Sequence, residues 1–160
     1  MKRLSLLLVS VAATTPPASG YVICGNAAPQ THPFYVDATL PLNSTGTVQD
    51  WVGAVILASQ EWNVAGSSNF RFAFAGLVAP PYPAGASVVI FGPLCGTTCP
   101  AAGPFTNCID GSTPFDVSGS PAPGTWDLQG IETHELGHAL GLGHSPVVGA
   151  TMSAAAASPA

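Results

Sequence analysis

The chain has 160 residues, of which 47% are hydrophobic, and a formal net charge of −5 from eight acidic and three basic residues. Two of the basic residues, Lys2 and Arg3, stand at the start of the chain, so Arg71 alone opposes all the acidic residues in the remainder. So few cations cannot neutralise nucleic-acid phosphates or bind an anionic lipid surface, and these two classes of partner are excluded.

The first twenty residues have the features of a secretory signal peptide. Lys2 and Arg3 precede the apolar run LSLLLVSVAA, and the small residues ASG stand directly before Tyr21. The apolar run is too short to span a membrane. We therefore predict that residues 1–20 are removed on export. Residues 21–160 are then expected to form one secreted domain, extracellular, periplasmic or at the cell surface.

The first elements of this domain follow from its apolar periodicity. Residues 33–42, PFYVDATLPL, alternate as a strand does. A helix is predicted next, with Thr47 as its N-cap and Asp50 three residues further on. Two β-rich runs bounded by Gly and Pro predict strands at Asn69–Phe74 and Ser87–Phe91. The helix is expected to bury one face, formed by Val48, Trp51, Val52, Val55, Ser59 and Trp62.

Residues 93–126 predict a long irregular loop, since eleven of these thirty-four residues are Gly or Pro. The segment holds three of the four cysteines, Cys95, Cys99 and Cys108, and the fourth is Cys24. In an exported protein a disulfide between two of them is the expected outcome. Four cysteines allow three pairings, and the sequence does not choose among them.

The eleven residues from His134 to His144, HELGHALGLGH, indicate a metal site. On a helix, His134 and His138 share one face, so both rings can bind a single ion. Gly141 can adopt a positive φ and turn the chain, which returns His144 as a third ligand. Glu135 lies beside the ligands and can hold a water molecule. Three protein ligands with an open fourth position are typical of a catalytic zinc site.

Four further expectations concern individual residues. Asp127 is predicted to cap the helix, and Glu132 is interpreted as a solvated or capping residue. His32 is interpreted as a surface histidine. The helix is expected to bury its other side through Leu128, Ile131 and Leu140.

The motif resembles that of the metzincin metallopeptidases, and the residues after it resemble the matrixins in particular. Ser145 is similar to the matrixin residue after the third histidine. Met152 resembles the methionine of the matrixin Met-turn, which lies beneath the zinc. Thr47–Asn63, followed by NFRFAF, is similar to the first helix and second strand of a small bacterial-type matrixin catalytic domain.

The resemblance implies an α+β, zincin-like fold in which a mixed, twisted sheet of four to five strands packs with two main helices. Only SAAAASPA follows Met152, so the final helix of that fold is expected to be missing. The resemblance also implies an antiparallel edge strand above the active-site cleft. Phe115, Asp116 and Val117 either form that strand and bind an extended substrate by β-augmentation, or belong to an irregular connection.

The resemblance implies a secreted zinc endopeptidase that acts on protein or peptide substrates as a monomer. Its one catalytic Zn²⁺ would be held by His134, His138 and His144, with Glu135 as the general base toward a zinc-activated water. The alternative is a catalytically inactive relative that binds zinc or peptide. The presence of Glu135 argues against this alternative, since a binding site needs no general base.

The second, structural zinc of the matrixins is not expected in this chain. That site needs its own histidines, and His32 is the only histidine outside the motif. Ca²⁺ also occurs in the corresponding matrixin loop, but the sequence offers no clear calcium site.

Overall fold

The computed structural model describes residues 31–40, 45–64, 70–91, 106–109 and 114–154. The predicted signal peptide, three of the four cysteines and the residues after 154 lie outside this part. Cys108 lies in a described strand, but its side chain is not described. The disulfide therefore stays a prediction.

Two helices and six strands occur in the described part of the chain, and the strands form two sheets. β2, β1, β3 and β4 form a four-stranded sheet in that order, and β5 pairs with β6. Neither described helix is long and apolar enough to cross a membrane. The elements in chain order are β1 (Thr31–Asp37), α1 (Val48–Val64), β2 (Arg71–Val78), β3 (Ser87–Phe91), β4 (Thr106–Ile109), β5 (Phe115–Asp116), β6 (Trp126–Asp127) and α2 (Leu128–Ala139).

The predicted α+β architecture, with two main helices and a sheet of four to five strands, is confirmed. β1 pairs with both β2 and β3, and β3 pairs with β4, in each case in parallel. Parallel neighbours need a crossover connection, and α1 supplies it between β1 and β2. The expected mixed sheet is therefore wholly parallel among the described strands, which include no antiparallel member.

β1 ends five residues earlier than the predicted strand. The Asp37 carboxylate accepts a hydrogen bond from the Thr39 backbone N–H at 2.7 Å, which turns the chain out of the sheet. The Tyr82 hydroxyl donates to the other oxygen of Asp37. Burial and the Asp37 carboxylate raise the pKa of Tyr82 to about 12, so this hydroxyl keeps its proton at neutral pH.

α1 begins at the predicted cap. The Thr47 backbone N–H donates to Asp50 Oδ2 at 2.7 Å, and the Asp50 N–H donates back to Thr47 Oγ1 at 3.3 Å. This reciprocal pair satisfies two of the free donors at the start of the helix. The same contacts lower the pKa of Asp50, which lies at the surface.

Trp51 anchors α1 in the core, as predicted. Its side chain is only 1% exposed and packs edge-to-face against Phe91 and Phe115. Its indole N–H donates to the Thr45 carbonyl at 2.6 Å, so the one polar atom of the ring has a partner. The core thereby joins α1 to β3 and β5.

β4 lies within the stretch predicted to be a loop, and β2 runs further than predicted. β2 extends to Val78 because it pairs with β1 along the whole length of that strand, from Thr31 opposite Arg71 to Asp37 opposite Val78. Pairing with β3 likewise determines β4. Both are decided by partners distant in the sequence, which local periodicity does not reveal.

The interpretation of His32 as a surface histidine is wrong, because the side chain is 7% exposed. β1 starts at Thr31, and its alternation points His32 into the protein while Pro33 faces outward. A hydrogen bond of 2.6 Å joins His32 Nε2 to Ser87 Oγ. Phe72 packs edge-to-face against the imidazole.

This burial predicts a loss of stability on acidification. Burial lowers the pKa of His32 below its ordinary value of 6.5. Below about pH 6.5, His32 therefore binds a proton in the unfolded chain but not in the folded chain. As the pH decreases, this difference lowers the free energy of unfolding by at most ~1.4 kcal/mol per pH unit.

His32→Gln retains hydrogen-bonding groups and cannot be protonated in this range. We expect urea unfolding between pH 7.5 and 5 to show a shallower pH dependence for His32→Gln than for the parent chain. Identical slopes for the two proteins would contradict the assignment.

Candidate metal centre

The helix that carries the histidine motif begins as predicted. Asp127 has extended backbone angles, φ −73° and ψ 109°, and its carboxylate accepts from the Gln129 N–H at 3.1 Å. Asp127 is therefore the N-cap of α2. Leu128 is fully buried, and the other two apolar residues predicted to pack, Ile131 and Leu140, are partly buried against the core.

Glu132 is not solvated, which corrects the sequence prediction. Its exposed fraction is 0%. It lies one helical turn from both Leu128 and Leu136, which are also fully buried, and so belongs to the face of α2 that packs against the rest of the protein. The prediction failed because it judged Glu132 by residue type, and carboxylates are seldom fully buried.

α2 ends at a left-handed glycine, as predicted. Gly141 has a φ of 83°, and its N–H donates to the His138 carbonyl at 2.8 Å. The Leu142 N–H reaches back to the Gly137 carbonyl at 3.0 Å. These are the two bonds of a Schellman motif, which reverses the chain and directs His144 back toward the helix.

The structure brings the three predicted ligands together. One ligand nitrogen from each of His134, His138 and His144 lies within 4.8 Å of the other two. The ring centroids are 4.8, 4.9 and 5.2 Å apart. Zinc–nitrogen bonds are about 2.0–2.1 Å long, so the rings need to close by only on the order of 1 Å to share an ion.

Two backbone carbonyls orient the helical ligands. His134 Nδ1 lies 2.7 Å from the Thr151 carbonyl, and His138 Nδ1 lies 2.7 Å from the Leu142 carbonyl. A carbonyl only accepts, so both Nδ1 atoms carry the proton and both Nε2 atoms keep a free lone pair. Partners of this kind fix the tautomer and orientation of zinc-binding histidines.

Burial favours the neutral form of His134, the first predicted ligand. Burial lowers the pKa of His134, and the neighbouring rings of His138 and His144 lower it further, against the opposing effect of the Thr151 carbonyl. A neutral imidazole is the form that binds a metal. The donor set therefore fits a divalent ion with nitrogen ligands.

Glu135 is half-buried beside this cluster. Its Oε2 atom is inaccessible to solvent, and no hydrogen-bond partner reaches it within the described ranges. Burial raises the pKa of the Glu135 carboxyl, and the nearby His138 only partly opposes this effect. A carboxylate of raised basicity next to a metal cluster can accept a proton from a bound water or substrate.

The residues after the third ligand form a tight turn that ends on the predicted methionine. The Ser145 N–H donates to the Met152 carbonyl at 2.6 Å, and Ser145 bridges to Ser153. Met152 is 3% exposed. A Cβ atom at position 137 would overlap Met152 Sδ, so the helix needs Gly137 to let the thioether approach.

Neither Gly137 nor the contact it permits is predicted from the sequence. A glycine within a helix is the signal that could have found it, because such glycines often mark a close approach. The contact itself joins segments distant in the chain.

The predicted substrate-binding segment lies apart from the four-stranded sheet. Phe115 and Asp116 form β5, which pairs with β6 in parallel. The Phe115 ring is buried against Trp51. The Asp116 carboxylate accepts from the backbone of its own loop, at Ser118 and Ala122. Substrate binding by Phe115, Asp116 and Val117 stays a prediction.

Comparison with known protein families agrees with this geometry. The family model described as matrixin matches residues 52–159, which is more than half of the chain and includes the whole histidine cluster and the turn to Met152. No curated protein matches the chain.

Proposed function

Because the chain belongs to the matrixin family of zinc metallopeptidases, we propose that it is an endopeptidase that hydrolyses peptide bonds in proteins or peptides. The observation that carries the proposal is the convergence of three imidazoles next to a half-buried carboxylate. His134, His138 and His144 would hold the zinc. Bound there, zinc supplies a Lewis acid that polarises a carbonyl and acidifies a water molecule.

The chain itself supplies the proton transfer. Glu135 takes the proton of the attacking water and passes it to the amine that leaves, which requires its carboxylate to reach both atoms. Burial, which raises the pKa of Glu135, makes this carboxylate a better base. The Thr151 and Leu142 carbonyls hold Nδ1 of His134 and His138, so the Nε2 atoms of both rings would be left to bind the ion.

The proposal also covers export and substrate contact. The apolar run behind Lys2 and Arg3 supports removal of residues 1–20 and secretion of the remainder. An extended peptide would add its main chain to the backbone of residues 115–117. Because the Phe115 ring lies in the core, this residue would offer a substrate no side-chain contact.

Gelatin or casein zymography of the purified chain tests the function. We expect clearing that disappears with a zinc chelator and returns when Zn²⁺ is added in excess of the chelator. Metal content is measured on the same sample by elemental analysis, with one zinc per chain expected.

Three other results would count against the proposed function. Clearing that resists the chelator would contradict a zinc peptidase. One bound zinc per chain without clearing on either substrate would favour the inactive zinc- or peptide-binding relative. Absence of stoichiometric zinc would contradict the metal centre itself.

A further inference from the structure

Trp62, in the last turn of α1, is hydrogen-bonded to the helix that bears the metal ligands. Its indole N–H donates to the Thr133 carbonyl at 2.7 Å. Thr133 directly precedes His134. The bond therefore ties the end of α1 to the backbone at the first ligand.

The same indole ring lies against α2 at a second point, one turn further on. An ideal Cβ at position 137 would lie 2.9 Å from Trp62 Cζ2 and 3.0 Å from Met152 Cε. The ring and the thioether thus both pack over Gly137, which directly precedes His138. Both ligands of α2 have a neighbour in the chain that Trp62 contacts.

Met152 links these contacts to the turn that follows the third predicted ligand, His144. Its predecessor, Thr151, provides the carbonyl that accepts from His134 Nδ1 at 2.7 Å. A shift of Met152 moves the Thr151 carbonyl and hence rotates the His134 ring. The thioether occupies space that a side chain at position 137 would need, and the Trp62 ring lies over the same position.

We propose that Trp62 is a positioning residue of the metal centre, which holds α2 and the Met152 turn at the spacing that lets His134 and His138 bind one ion. It acts through the Thr133 carbonyl and through Met152, and it touches neither metal nor substrate. The role rests on the zinc site of the proposed function. The proposal gives α1 a role in metal binding, which the apolar pattern of this helix does not indicate.

Trp62→Phe tests the role, and the chain offers a matched control in Trp51→Phe. Both changes remove an indole donor in α1 that binds a backbone carbonyl, at 2.7 Å to Thr133 and at 2.6 Å to Thr45. The ring contacts of Trp51 are with Phe91 in β3 and Phe115 in β5. Loss of core packing therefore affects both variants, and loss of positioning affects only Trp62→Phe.

Two readouts do not depend on activity. The zinc dissociation constant, measured by competition with a chromogenic chelator, is expected to rise about 10-fold for Trp62→Phe, the lower end of the range for lost outer partners of ligands. The visible absorption spectrum of the Co²⁺-substituted protein is expected to change as well. Trp51→Phe is expected to keep the zinc affinity and the Co²⁺ spectrum of the parent chain.

Equal zinc affinities in the parent chain and in Trp62→Phe would overturn the positioning role and leave the zinc site intact. Equal weakening in both variants would also overturn it, because the effect would then be general destabilisation. A parent chain that binds no zinc would overturn both proposals. If Trp62→Phe fails to fold, 3-benzothienylalanine at position 62 keeps the bicyclic ring and removes only the donor, with the same expected loss of zinc affinity.

Discussion

Glu135→Gln is expected to bind zinc as tightly as the parent chain and to lose peptide hydrolysis by roughly 10²–10⁴-fold, the usual contribution of a positioned general base. Gln has nearly the same shape as Glu but cannot take a proton from water at neutral pH. The three histidines, their carbonyl partners and the fold are untouched. Steady-state cleavage of a fluorogenic peptide, with zinc content measured in parallel, checks both halves of the expectation.

Glu61→Gln is the matched control, since Glu61 is an exposed residue of α1 and the chemical change is identical. It should cleave the peptide at the rate of the parent chain. Comparable cleavage by Glu135→Gln would refute the proton-transfer role. Loss of zinc from Glu135→Gln would instead give this carboxylate a part in metal binding.

His144→Ala is expected to lose stoichiometric zinc and all detectable hydrolysis. Removal of an outer partner of a zinc ligand costs about 10–100-fold in affinity, and removal of a ligand itself should cost more. His144 is exposed and lies beyond the end of α2, so the change creates no cavity in the core. Dialysis against a metal buffer followed by elemental analysis measures the loss.

The fourth histidine supplies the control for this prediction. His32 lies in β1, outside the cluster, and His32→Gln should retain one zinc per chain. Full zinc occupancy in His144→Ala would show that two histidines suffice and that the return of the chain after Gly141 serves another purpose. An intact circular dichroism spectrum in His144→Ala separates ligand loss from unfolding.

The local features of the site were predictable because each depends on residues a few positions apart. Helical spacing alone places His134 and His138 on one face. The cap at Asp127 and the reversal at Gly141 follow from the chemistry of one side chain and from one backbone angle. The structure has all three features where the sequence indicated them.

Burial could not be predicted from residue type. His32 and Glu132 are polar, yet both are enclosed, since their positions on β1 and α2 face the interior of the fold. β4 lies in a stretch rich in Gly and Pro, and its pairing with β3 makes it a strand. In each case the deciding partner is distant in the sequence.

The amino-acid pattern alone was enough to predict the convergence of the three histidines and the family, because these depend largely on spacing within one helix and its turn. The residues that pack around the histidine cluster could be identified only from the tertiary structure. Trp62, Gly137 and Met152 belong to three separate segments, and both Trp62 and Met152 pack over Gly137 because α1 packs on α2 and the chain turns back after α2. Short-range geometry is determined by residues that are close in the sequence, whereas packing depends on contacts between segments that are distant in the sequence.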